Sequence, residues 1–257
     1  MSKIRDKKCS LLQENGVNLW GLTAQNEPVD GNIPEFGFNC MGWNASTQAT
    51  WIGQHLGPTL DNNGFEDLKL MAFDDQRPLL FGWSQEIMED ELASQYVDGW
   101  AVHWYTDFLG LPGVLDYVHE QYPDKFILFT EACTGANPWD LQKVLLGSWE
   151  RGQEYINDIL TNLNHWSTGW TDWNLGNIKT IQLFINHFSI LALDMDGGPN
   201  WAYNYVDSPI IVNEAKDEFY KNPMYYGLAH FSKFLPEESF RINYEMTGYD
   251  ADRLLVE

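Results

Sequence analysis

Short apolar runs alternate with stretches of helical spacing along most of this chain, and polar residues gather where the runs end. The runs predict β-strands at 17–24, 68–73, 97–105, 126–130 and 165–175. Between them the spacing predicts helices at 47–60, 86–95, 111–121 and 144–163. The first places Trp51, Ile52, His55 and Leu56 on one face, and the last places Ile156, Ile159, Leu160 and Leu163 on one face. Strand, loop and helix therefore recur at intervals of about 30 residues, the rhythm of a parallel sheet with helices outside it. Residues 27–44 are rich in Gly, Asn and Pro and suit a long βα loop over a site. After 175 the pattern breaks. Residues 176–191 are apolar and β-branched with no evident place, 197–201 read as a loop, and 217–234 as a helix. Strands at 241–246 and 253–256 suggest an all-β piece beginning near 236. The expected fold class is α/β, with about five of the eight strands of a closed (β/α)8 barrel.

In such barrels the chemistry sits where strands end. The first strand ends on Asn26-Glu27-Pro28 and the fourth on Glu131, 104 positions later. Two carboxylates at strand ends suit glycoside hydrolysis. In a retaining mechanism one protonates the leaving oxygen and the other attacks the anomeric carbon, at a separation of about 5–5.5 Å. Glu27 and Glu131 are thus the candidate pair. A lone strand-end glutamate is often only a cap or a lysine's partner; two of them, with polar strand ends between, favour a catalytic pair. Asn26 reads as a donor to a sugar hydroxyl or as an Asx-type turn. His103 and Tyr105 read as orienting groups or as a satisfied core pair, and Trp173 as a stacking wall or core. Asp74 and Asp75 are neighbours on a strand and should face opposite ways; a salt bridge from one of them to Arg77 is the plain expectation.

Composition narrows the classes. A net charge of −22 argues against nucleic acid, whose backbone requires clustered Lys and Arg. The 12 Trp, 12 Tyr and 14 Phe suit either core or a sugar-binding cleft. Cys9, Cys40 and Cys133 form no framework or metal spacing, and Cys133 reads as a wall residue. The six His show no metal-binding spacing, and neither GxSxG nor GxGxxG occurs, so no metal or cofactor is expected. No run reaches the ~18 apolar residues of a membrane span, and 1–8 is too charged for a signal peptide. Asn44-Ala45-Ser46 is a glycosylation acceptor sequence if the protein enters the secretory route.

Several long motifs occur in one order: Thr23-Ala24-Gln25-Asn26-Glu27-Pro28, Asp74-Asp75-Gln76-Arg77, Ala101-Val102-His103-Trp104-Tyr105, Glu131-Ala132-Cys133, Gly169-Trp170-Thr171-Asp172-Trp173-Asn174-Leu175 and Gly197-Gly198-Pro199-Asn200-Trp201. Together with Val206-Asp207-Ser208-Pro209 and His230-Phe231-Ser232-Lys233-Phe234, they closely resemble the acid β-glucosidases of glycoside hydrolase family 30, in an invertebrate-like version. The resemblance implies part of a (β/α)8 TIM barrel, about strands four to eight, over 1–235, with a truncated β-sandwich beginning at 236–257. It implies hydrolysis of glucosylceramide, Glu27 as acid/base and Glu131 as nucleophile. Asn26, Trp173 and Asn204 match positions lining the glucose site; Arg77, His103 and Tyr105 match positions around the nucleophile. A saposin-type activator, an anionic lipid surface and a lysosomal setting come with the family. Residues 176–191 interrupt its pattern and are expected to be an insertion. The alternatives are an inactive fragment, since an open half-barrel leaves exposed sheet edges, and a relative acting on another β-glycoside.

Overall fold

The computed structural model describes residues 14–17, 19–36, 40–173, 192–198 and 203–242. The chain divides into two compact units, residues 1–128 and 129–257.

The first unit is built on strands β1 (Gly21–Thr23), β2 (Lys69–Gln76) and β3 (Gly99–His103). β1 runs parallel to β2 from Gly21↔Lys69 to Thr23↔Met71, and β2 parallel to β3 from Met71↔Gly99 to Gln76↔His103. Leu70 to Phe73 and Trp100 to Val102 are buried without alternation, because a strand inside a parallel α/β sheet is covered on both faces. Five strands follow the order β1-β2-β3-β4-β5, with β4 at Phe126–Glu131 and β5 at Ser167–Trp170. This is the expected α/β sheet of consecutive parallel neighbours.

The helices of the first unit are α1 (Ala45–Trp51), α2 (Gly57–Asn62), α3 (Leu80–Glu89) and α4 (Gly113–Gln121). Asn44 caps α1 by accepting from the Thr47 N–H at 2.8 Å. A π-turn at Ile52–Leu56 joins α1 to α2. It shifts the buried stripe to Ile52, Gly53, Leu56 and Leu60 and leaves His55 exposed, so the face expected from a regular helix is only half correct. α3 starts six positions earlier than the spacing predicts and stops at Glu89. There the Asp90 carboxylate accepts from the N–H groups of Leu92 and Ala93 and turns the chain.

In the second unit α5 (Trp149–Asn164) begins after Gly147, whose φ is +76°, with Ser148 as its cap. The predicted start at 144 is therefore too early. α5 packs on α6 (Pro223–Phe234) at close range. A Cβ on Gly152 would lie 2.7 Å from the Pro223 side chain, so only glycine admits this approach. A second sheet, which the sequence pattern did not reveal, has the order β6 (Ala192–Asp194), β7 (Ile210–Asn213), β8 (Glu218–Lys221). β8 occupies the start of the stretch expected to be helical, paired antiparallel to β7. The helix starts instead at Pro223, whose missing N–H costs nothing at that position. The expected insertion at 176–191 lies outside the described residues, as does the strand predicted at 253–256 and most of that at 241–246.

Candidate active site

In the first unit three parallel strands deliver polar residues at the same edge. The chain leaving β1 reaches Glu27, β2 ends on Asp74-Asp75-Gln76, and β3 ends on His103. The Glu27 carboxylate is buried, at 4% exposure. Its Oε1 lies 2.9 Å from His103 Nδ1 and accepts from Gln76 Nε2 at 3.1 Å. The other ring nitrogen of His103, Nε2, lies 3.1 Å from Asp74 Oδ1. Both imidazole nitrogens thus face carboxyl oxygens, so the chain Glu27–His103–Asp74 needs two protons. It is either an imidazolium between two carboxylates or a neutral ring beside one protonated carboxyl.

The backbone here is bent to make these contacts. Phe73 and Asp74 have φ of 78° and 64°, and Glu27 has φ of 39°, all in the region where a Cβ is strained. A bulge in β2 skips Asp74 in the register, Phe73 facing Ala101 and Asp75 facing Val102. The Asp74 carbonyl accepts from the Glu27 N–H at 2.9 Å. Strain of this kind costs on the order of 1–3 kcal/mol per residue and concentrates at functional sites. The bulge also resolves how two adjacent aspartates both serve one region. Asp74 binds His103, while Asp75 accepts from the N–H groups of Val29 at 2.9 Å and Gln76 at 2.8 Å. Burial holds the Asp75 carboxyl above its usual range, and those two N–H groups pull it back.

The remaining first-unit candidates surround this core. Arg77 is buried and pairs with Asp107 at 2.9 Å, and its NH2 donates to the carbonyls of Asp107 and Gly110 at 3.2 and 2.8 Å. It thereby anchors the loop after β3 that carries Tyr105, whose ring meets His103 edge-on at 6.2 Å between centroids. Asn26 is half-buried. Asp30, three positions after Glu27, is half-buried; burial first, then the Glu27 charge and a side-chain hydrogen bond to it, push its carboxyl up to about 7. Burial, with Asp30 and Glu27 beside it, also raises the Cys40 thiol.

Three candidates lie in the second unit. Glu131 is half-buried at the end of β4, and the buried Ala132, Cys133 and Thr134 follow it. Trp173 donates its N–H to the Ala132 carbonyl at 2.7 Å, tying the segment after β5 to the end of β4; its side chain is half-buried, as is Asn204. Asp207 organises the neighbouring loops. It pairs with Arg151 and accepts from the N–H groups of Leu145 at 3.1 Å and Ser208 at 2.8 Å and from Asn222 Nδ2 at 3.1 Å.

Sequence reasoning missed Gln76, Asp107 and Asp30 as members of the site. Asp107 has no local signal, since it lies 30 positions from Arg77. Asp30 had one, its i+3 spacing from Glu27 within a turn. The arrangement in the first unit can hold a buried carboxyl in one orientation and exchange protons with it, which is what an acid/base requires.

The glycosyl hydrolase family 30 TIM-barrel domain matches residues 7–235. The lysosomal acid glucosylceramidase of Mus musculus is 45% identical over 88% of this chain and 41% of its own length. The putative glucosylceramidase 3 of Caenorhabditis elegans is 44% identical over 91% of this chain and 42% of its own. The chain therefore spans less than half of these relatives. Among solved structures, SrfJ from Salmonella typhimurium aligns with a TM-score of 0.75 at 24% identity, covering 91% of this chain and 46% of that one. The endo-β1,6-glucanase BT3312 aligns at 0.71 and 24%, covering 91% and 48%. Both show a shared fold. With the family pattern covering residues 7–235 and a 45% identical relative aligned over 88% of the chain, this protein belongs to glycosyl hydrolase family 30.

Proposed function

We propose that this chain carries the acid/base and the nucleophile of a retaining β-glucosidase that hydrolyses glucosylceramide to glucose and ceramide. The supporting observation is Glu27, a buried carboxyl at a strand end held by His103 and Gln76. The named relatives are glucosylceramidases. In this reading the Glu131 carboxylate attacks the anomeric carbon as Glu27 passes its proton to the glycosidic oxygen, and ceramide leaves. Glu27, now a carboxylate, takes a proton from water, whose oxygen displaces Glu131 and releases glucose with retained configuration. Asn26, Trp173 and Asn204 hold the sugar, and Arg77 and Tyr105 shape its surroundings. The Oε1 of Gln76 is buried with no hydrogen-bond partner among the described residues and is available to accept from a sugar hydroxyl.

The relatives' names also support a glycosphingolipid substrate and a lysosomal setting; work with a saposin-type activator on an anionic lipid surface belongs to this reading through the family resemblance alone. No helix among the described residues is long and apolar enough to cross a membrane. Residues 1–235 would then form the catalytic domain, and 236–257 the start of a β-sandwich.

A glucose-configured cyclitol epoxide tests the nucleophile. Mass spectrometry of the digested protein should place one adduct on Glu131, and Glu131→Gln should lose it. A folded protein that forms no adduct, or forms it elsewhere, overturns the assignment.

A further inference from the structure

We propose that Asn44 is a site of N-linked glycosylation, and that the first sugar of its glycan lies over an aromatic hollow formed by Trp43, Trp51 and His55. This rests on the lysosomal setting of the proposed function, since such a glycan is added only on the secretory route.

The sequence supplies a single acceptor. Asn44-Ala45-Ser46 is the one Asn-x-Ser/Thr sequence in the 257 residues. Asn44 and Ser46 are both exposed, where the loop after β1 enters α1. The plain role of Asn44 is that of a helix cap, and it fills that role: its Oδ1 accepts from the Thr47 N–H and from Thr47 Oγ1, both at 2.8 Å. Capping uses the oxygen alone. Nδ2 has no hydrogen-bond partner among the described residues, and Asn44 is exposed. Cap and glycan therefore use different atoms of one planar amide. With Oδ1 turned to the first turn of α1, Nδ2 is directed away from it.

The donor is an oligosaccharide whose terminal N-acetylglucosamine is joined through C1 to a lipid diphosphate. Asn44 Nδ2 attacks that carbon. The C1–Nδ2 bond forms as the C1–O bond breaks, and the lipid diphosphate leaves with the electron pair. Nδ2 gives one of its two protons to a base of the transferase. One N–H remains, and Oδ1 keeps both of its contacts with Thr47.

A second observation lies beside the acceptor. Trp43, Thr47, Thr50, Trp51 and His55 contribute to the lining of a shallow hollow of about 410 Å³. The Thr47 hydroxyl that touches Asn44 Oδ1 belongs to a residue of this wall, and Trp43 precedes Asn44 directly. The rings adjoin: the centroids of Trp43 and Trp51 are 6.0 Å apart, and those of Trp51 and His55 are 5.6 Å apart. The π-turn at Ile52–Leu56 leaves His55 exposed next to Trp51. Aromatic faces with a few hydroxyls beside them suit a sugar ring, which is apolar on its C–H face and polar at its rim. A sugar tethered through Asn44 starts at the edge of the hollow, so little freedom is lost in covering it.

The test starts with the protein isolated from its own cells. Peptide N-glycosidase in heavy-oxygen water turns a glycan-bearing asparagine into a labelled aspartate, and mass spectrometry should place that label at Asn44. An unlabelled Asn44 overturns the site. Full-chain Ser46→Ala, expressed in the same cells, should migrate with the deglycosylated protein, and Ser46→Thr should keep the glycan. Ser46→Ala leaves Asn44 and its cap in place, so its loss of glycan is not a loss of the helix. If it does not fold, as judged by circular dichroism, Asn44→Asp, which retains a capping oxygen, replaces it. A glycan that survives both changes overturns the assignment.

Hydroxyl-radical oxidation reads the hollow. Trp51 should oxidise at least about twofold faster once the glycan is removed, as its ring returns to water. Trimming to a single N-acetylglucosamine should keep the protection. Trp20, 57% exposed just before β1, is the control. Equal rates at Trp51 overturn the seating of the sugar. Protease protection in intact organelles separates these results from failure of the underlying setting. Protected protein with a bare Asn44 overturns the site and leaves the lysosomal setting standing. Protein digested without detergent overturns the setting and the site with it. The assignment of Glu131 is independent of both, since the epoxide adduct tests it directly.

Discussion

Two buried polar clusters in this chain are built on opposite principles. Around Asp207 in the second unit, charge is compensated: one carboxylate meets the Arg151 guanidinium, two backbone N–H groups and the Asn222 amide. Arg151 itself also donates to the carbonyls of Lys143 at 2.7 Å and Gln142 at 2.9 Å. Around Glu27 in the first unit, charge is in excess: the carboxyls of Glu27, Asp74, Asp75 and Asp30 share the neighbourhood of one imidazole. That cluster also carries the positive φ values of Glu27, Phe73 and Asp74. The difference separates roles. A buried carboxylate matched by a guanidinium holds loops in place, whereas several carboxyls crowded around one imidazole on a strained backbone are costly to the fold and useful for proton transfer.

The largest effect expected from this contrast is on stability at Asp207. Asp207→Ala strands the Arg151 guanidinium in a buried site and frees the Leu145 and Ser208 N–H groups, a loss of about 3–5 kcal/mol. Urea unfolding of the variant measures it. A loss below about 1 kcal/mol would show that Asp207 does not organise these loops. His103→Ala is the matching change in the other cluster. It removes one ring between two carboxyls that already repel, so its stability cost should be smaller, about 1–2 kcal/mol. Turnover should fall roughly 10²–10⁴-fold, as the acid/base loses its partner. Equal stability losses from the two variants would break the contrast.

The two clusters also differ in how far they can be read from sequence. Glu27, His103 and Glu131 are legible because each ends a run of buried apolar residues, and strand ends are where a barrel places its chemistry. The sheet is legible for the same reason, since β2 and β3 are continuous apolar runs. What binds the site together is not. The pairing of Arg77 with Asp107 spans 30 positions. The bulge at Asp74 is a backbone event with no residue signature, because neither Phe73 nor Asp74 advertises a positive φ. It overrides the alternation that would send Asp74 and Asp75 to opposite faces. Elsewhere, the π-turn at Ile52–Leu56 defeats a face drawn at 3.6 residues per turn. Strands β6, β7 and β8 are too short to show a period. The start of α6 escapes the helical spacing although Pro223 marks it. Of the compensated cluster around Asp207 only the Val206-Asp207-Ser208-Pro209 motif shows in the sequence, and its partners do not, because they come from three other separated segments.

The smallest effect concerns how each cluster responds to pH, and it follows from Asp30. In the fold Asp30 keeps its proton up to about 7, against 3.8 for the free side chain. Between those values the folded protein binds more protons than the unfolded chain, so rising pH favours unfolding. The contribution of Asp30 to stability is therefore full below about pH 4 and is lost as pH rises to 7. Asp30→Asn removes this dependence. The melting temperature of the variant, minus that of the parent, should grow more positive from pH 4 to pH 7. Asp30 is half-exposed, and solvent screening limits the gain to no more than a few degrees. Thermal unfolding by circular dichroism at pH 4, 5.5 and 7 reads it, with Asp61→Asn, an exposed change, as the control for the acidic background. Parallel curves would mean that Asp30 ionises in the fold as it does in the open chain. A variant that grows less stable as pH rises would mean that the carboxylate, not the proton, is what the turn holds, and the excess of charge around Glu27 would then be smaller than the contrast with Asp207 requires.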